Sequence, residues 1–145
     1  MRRVAAVLMA AAALVAGCGG DDDGDAPAAK GGPAKTAEDA RIEGREGARI
    51  AEVTTELLNA PNGDDPCYAI VASDYVESLG GLEGCARKLA PIATGPLDTI
   101  TAARQLPGGE TGEARVESAD GSRKQTIELA KTVAGEWRID GLGTP

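Results

Sequence analysis

The hydrophobic period of this chain changes near Leu97, and that change limits the folds open to it. Before it, apolar residues recur at the three-and-four spacing of a helix face; after it, they alternate with polar residues as strands do. Runs of helix followed by runs of strand predict an α+β domain with an antiparallel sheet. Thr99, Thr101 and Ala103 alternate with Ile100, Ala102 and Arg104 before a turn at Pro107-Gly108-Gly109. Ala114, Val116 and Ser118 alternate with Glu113, Arg115 and Glu117, and Asp120-Gly121 is a strong hairpin signal. Thr126 to Val133 carries Ile127, Leu129 and Lys131 on one face. After Ala134-Gly135 the last strand runs from Glu136 to Leu142, with Trp137, Ile139 and Gly141 in phase. That phase reads Trp137 as a core residue rather than a stacking platform for a ligand.

The first region reads as two or three helices. Thr36 followed by Asp39 has the form of a capping box, which predicts a helix from about Ala37 to Asn59. Ile50, Val53, Thr54, Leu57 and Leu58 mark its buried face, while Gly44 and Gly47 weaken its first half by up to about 1 kcal/mol each. Arg41, Arg45 and Arg49, flanked by Glu38, Glu46 and Glu52, form a solvated column, with a docking stripe as the alternative. Asp65-Pro66 is a helix start, and the second helix is predicted from Pro66 to about Leu79. It places Cys67, Ile70, Val71 and Tyr75 near one face and ends at Gly80-Gly81. A short third helix, Leu82 to about Ala90, carries Cys85 and Leu89 on one side and stops at Pro91.

The N-terminus is organised differently. Arg2 and Arg3 precede an uncharged apolar run from Val4 to Ala16. A bilayer span needs roughly 20 apolar residues, so this run reads as the core of an export signal, residues 1–17. Leu14-Val15-Ala16-Gly17-Cys18 resembles the lipobox of bacterial lipoproteins, in which the cysteine is diacylglycerylated with palmitate-type chains and becomes the mature N-terminus. The alternatives are a short membrane anchor, or a plain secretory signal with a chance cysteine. The lipobox implies a cell-envelope lipoprotein on the extracytoplasmic face of the cell membrane. The Ala-, Gly-, Asp- and Arg-rich usage points to a single-membrane bacterium.

Residues 18–35 then read as a lipidated cysteine and a disordered acidic tether, since Gly, Pro, Ala and Asp dominate them without apolar periodicity. As a flexible coil it spans roughly 20–25 Å. Asp21, Asp23 and Asp25 alternate like the start of a calcium loop, but Ala26 and Gly32 occupy the positions that need Gly and Glu. No metal site or cofactor is predicted. The formal charge of −8 becomes 13 − 23 = −10 once Arg2 and Arg3 are removed, which makes nucleic acid a poor partner. The same surface does not adhere to anionic headgroups, so the acyl chains must hold the protein, and two are needed for stable attachment.

There is no His, which removes Ser-His-Asp and Cys-His chemistry and His-rich zinc sites. With Cys18 lipidated, Cys67 and Cys85 remain, and outside the cytoplasm such a pair in a small domain forms a disulfide. A two-cysteine metal site is the weaker alternative. The bridge would clamp the second helix to the third, closing a loop of about 19 residues for on the order of 3 kcal/mol.

Helices followed by a meander ending in Gly135-Glu136-Trp137-Arg138-Ile139-Asp140-Gly141 resemble the nuclear-transport-factor-2-like (cystatin-like, ketosteroid-isomerase-like) superfamily. More narrowly, the chain resembles secreted actinobacterial lipoproteins of that fold, whose helical part carries two cysteines. The likeness covers Thr36 to Leu142. It implies one domain over 36–145, with two or three N-terminal helices packed on a curved, cone-shaped antiparallel sheet of about four strands. It also implies a conical pocket for a small apolar ligand, and homodimers are common in that superfamily.

Enzymes of the superfamily place an acid or base in the cone, often an Asp with a Tyr or His beside it. The resemblance makes Asp74 and Tyr75, with Tyr68 a turn earlier, the candidate pocket residues. Neighbours on a helix point about 100° apart, so Asp74 and Tyr75 do not both face one cavity. The preferred expectation is a non-catalytic module that binds an envelope protein or a small apolar ligand. The alternative is a lipid-tethered isomerase, hydratase or cyclase that uses an acid in the pocket.

Overall fold

The computed structural model describes residues 33–60 and 64–144, the side chains of 64 and 65 excepted. In chain order the elements are β1 (Lys35–Ile42), α1 (Gly44–Asn59), α2 (Asp64–Ala69), α3 (Ser73–Ser78) and α4 (Leu82–Ala93). They are followed by β2 (Leu97–Gln105), β3 (Thr111–Ser118), β4 (Lys124–Lys131) and β5 (Trp137–Gly143). The strands form one mixed five-stranded sheet in the order β1-β2-β3-β4-β5. β1 runs parallel to β2, and the other neighbours are antiparallel. Among the described residues the architecture is α+β with helices on one sheet face, but with five strands and four helices, and a strand precedes the helices.

The first departure lies at Lys35–Ile42, which is a strand and not the front of the first helix. The Thr36–Asp39 pair and the Ala, Glu and Arg around it favour a helix locally, yet the segment takes its backbone partners from β2. Lys35 and Thr36 pair with Thr99 and Ile100, and Arg41 and Ile42 with Ala102 and Ala103, with a bulge between the two sets. Gly44 adopts φ +67, a conformation that separates strand from helix and that other L-residues seldom take. Glu43 N–H donates to Ala103 O at 2.9 Å, and a Cβ on Gly47 would lie 2.6 Å from the same oxygen. The two glycines thus mark a chain break and a close helix–strand approach.

The expected second helix is interrupted. Ile70 and Val71, β-branched and poor helix formers, leave the helix so that Val71 forms a parallel bridge with Ile139 of β5. Ile139 N–H donates to Ile70 O and Ala72 N–H to Ile139 O, both at 2.8 Å. Two backbone bonds to the sheet edge therefore replace helical ones. The third helix is longer than expected and passes through Pro91 to Ala93. Proline removes one i→i−4 bond and crowds the turn before it. Here Pro91 lies on the exposed side, while Ile92 and Ala93 beyond it enter the core.

The core lies between the helices and one sheet face. α1 contributes Ile50, Leu57 and Leu58; α4 contributes Cys85, Leu89, Ile92 and Ala93. The sheet answers with Ile100, Ala103, Ala114, Val116, Ile127, Leu129, Trp137 and Ile139. Burying each of the large aliphatics contributes about 1.5–3 kcal/mol relative to exposure. Thr54, also buried, turns its hydroxyl to Ile50 O at 2.8 Å and so leaves no unpaired polar atom. The opposite sheet face is polar, with Arg104–Glu113 and Lys124–Glu117 pairs across strands. Cys67 of α2 and Cys85 of α4 form a disulfide at a Cα–Cα distance of 6.1 Å, joining the two helices as expected.

Candidate functional site

A groove of about 610 Å³ opens between α2, α3 and the start of α4, with the end of the β4–β5 hairpin as its far wall. The helix break at Ile70–Ala72 separates α2 from α3 and leaves Val71 and Ala72 in the lining. Tyr68, Val71, Val76 and Leu82 supply apolar surface; Asp74, Glu77 and Arg138 supply charge. Among the described residues, the large apolar side chains that stand exposed are Tyr68, Leu82 and Val133. The first two line the groove, and Val133 follows Thr132, which also lines it. Two of the three exposed side chains thus meet at this groove, while Val133 stands in the β4–β5 turn outside its lining.

The groove's charges are not equivalent. The Arg138 guanidinium is engaged, donating to Ala69 O and to the Glu136 carboxylate. Asp74 and Glu77, three residues apart on α3, make no ion pair with any described residue. The unpaired charge at the groove is negative.

Of the residues singled out in the sequence, Tyr68 and Asp74 meet at the groove, with Cys67 of the disulfide beside them. Tyr75 is turned away. It packs on the core, and burial, followed by the negative charges of Glu128 and Asp140, pushes its phenol above the ordinary tyrosine range. Asp74 and Tyr75 consequently serve different surfaces. The sequence reading missed Val76, Leu82 and Arg138. Leu82, read in the sequence only as the start of the third helix, is the first residue of α4 and stands exposed there. Cys18 and the export signal lie outside the described residues, as does the tether apart from its last three positions. Of those, Ala34 N–H donates to Asn59 Oδ1 at 2.8 Å, and Lys35 already belongs to β1.

The far wall of the groove is fixed from the opposite side of the core. Glu46, in the first turn of α1, accepts Lys131 Nζ at 2.8 Å and Trp137 Nε1 at 2.9 Å on one carboxylate oxygen. Arg49 lies 3.4 Å from the other oxygen. Lys131 also stands 5.3 Å from the centre of the Trp137 ring, in cation–π range. Hydrogen bonds from Lys131 and Trp137 hold the Glu46 carboxyl below the usual carboxylate range. Lys131 and Trp137 flank Thr132 and Arg138, so this contact holds the hairpin against α1.

No group of three or more metal-ligating side chains occurs among the described residues, and no helix among them is long and apolar enough to cross a membrane. No known family model, curated protein or solved structure matches the chain.

Proposed function

We propose that this chain is a lipid-anchored lipoprotein of the extracytoplasmic membrane face, whose folded domain binds a ligand or partner without catalysing a reaction. The placement rests on Leu14-Val15-Ala16-Gly17-Cys18 behind a charged and apolar export signal. The binding role rests on one observation: of the three large apolar side chains that stand exposed among the described residues, two, Tyr68 and Leu82, line a single groove. An uncovered apolar patch of this kind marks an interaction site. The separation of Asp74 from Tyr75 weighs against the isomerase, hydratase or cyclase reading, which needs an acid and a second polar group on one cavity. The excess of carboxylates argues against a nucleic-acid partner. Helices on one face of a largely antiparallel sheet suit the nuclear-transport-factor-2-like resemblance, and a cone-shaped sheet remains part of that proposal.

The binding role is tested with a neutral apolar dye such as Nile red. Saturable binding that is lost in both Tyr68→Ser and Leu82→Ser supports it. Dye binding that survives undiminished in both variants contradicts it.

A further inference from the structure

We propose that the groove takes a basic amphipathic segment of a partner protein, with apolar side chains on Tyr68 and Leu82 and Lys or Arg on Asp74 and Glu77. This rests on the binding role proposed above and names the chemistry of its occupant.

Shape and charge together select that occupant. Tyr68, Val71, Val76 and Leu82 form an apolar trough between helices, the arrangement into which an amphipathic helix lays its apolar face. Tyr68 is 70% exposed, and a tyrosine presents a rigid apolar body with a polar tip, a combination enriched among residues that dominate binding energy. Asp74 and Glu77 sit one helical turn apart on the wall made by α3 and lack a described ion-pair partner. Among the described residues the cation of the lining is Arg138, and it is engaged by Ala69 O and Glu136 rather than by either carboxylate. An acidic occupant would meet two unpaired carboxylates of like sign, which disfavours it. The chain's net charge of −8 acts in the same direction at longer range and would speed encounter with a basic partner. An anionic membrane surface is disfavoured for the same reason.

The test uses the detergent-solubilised full chain and two labelled helical peptides of about 15 residues, a length at which isolated helices become viable. One presents Leu on one face and Lys on the other; its counterpart carries Glu in place of Lys. Fluorescence anisotropy should show saturable binding of the Leu/Lys peptide, weakening with salt, and weak or no binding of the Leu/Glu peptide. The double variant Asp74→Asn/Glu77→Gln should weaken the Leu/Lys complex roughly fivefold, since exposed ion pairs contribute modestly, and should flatten its salt dependence. Leu82→Ser should weaken both the peptide and the dye. Equal binding of the two peptides, or no effect of the double variant, overturns the inference. If Nile red binds and neither peptide does, the occupant is a neutral apolar ligand, and only the inference fails. If neither dye nor peptide binds, the binding role itself fails.

Discussion

The Glu46 carboxylate accepts the Trp137 indole N–H at 2.9 Å across 91 residues of chain. The bond ties the first turn of α1 to the start of β5, and Lys131 reaches the same oxygen from the end of β4. Three elements thus meet on one carboxylate beside the hairpin that walls the groove.

Glu46 gives the fold an acid-sensitive contact. Its folded pKa lies below the ordinary glutamate value, so the contact adds its full stability above the unfolded pKa and loses it as pH falls through the folded pKa. Urea unfolding followed by Trp137 fluorescence should show stability dropping on acidification below about pH 4.5. In Glu46→Gln that part of the slope should be absent and the stability at neutral pH lower. Parallel curves for the two proteins would show that the contact contributes nothing.

Asp120 behaves likewise at the β3–β4 turn. Hydrogen bonds from the Ser118 hydroxyl, then from the Ser122 backbone and hydroxyl, pull its carboxyl down to about 2. A carboxylate NMR titration should place Asp120 well below the ordinary aspartate range. Ser118→Ala should move it upward, toward the ordinary value. A normal titration in the wild type contradicts the turn geometry.

Replacing both Cys67 and Cys85 with Ser should cost on the order of 3 kcal/mol, the loop-closure value for a bridge of this span. The loss is read from urea denaturation. Because Cys67 lines the groove, dye affinity should fall along with stability. A double variant as stable as the wild type would mean that packing between α2 and α4 already suffices.

Gly47→Ala should destabilise the protein even though alanine is the better helix former. The new Cβ would sit 2.6 Å from the Ala103 carbonyl, and backbone cannot move aside as a flexible side chain can. Overpacking of this kind costs about 1–3 kcal/mol, against a propensity gain of at most about 1 kcal/mol. A higher thermal midpoint for the variant would show that α1 does not approach β2 this closely.

What could be read in advance was whatever local pattern decided. β3, β4 and β5 follow from strict alternation, with Asp120-Gly121 and Ala134-Gly135 as turns. The disulfide follows from counting cysteines in a chain whose N-terminus reads as an export signal. β1 was hidden because Thr36 to Arg41 is helix-favouring by itself and becomes a strand only against β2, some 60 positions away. The break at Ile70–Val71 depends on Ile139. Glu46 was indistinguishable from its neighbours in a solvated charged column; only Lys131 and Trp137 set it apart. In each case a partner distant in sequence outweighed a local preference.

The central claim, an oxidised binding domain held outside the membrane by a lipidated Cys18, is tested most directly by intact mass. The protein should be purified from native membranes and measured before and after reduction. The predicted mass begins at a diacylglyceryl-modified Cys18 and rises by two hydrogens on reduction. An unlipidated chain still carrying residues 1–17, or free thiols at Cys67 and Cys85 before reduction, would contradict it.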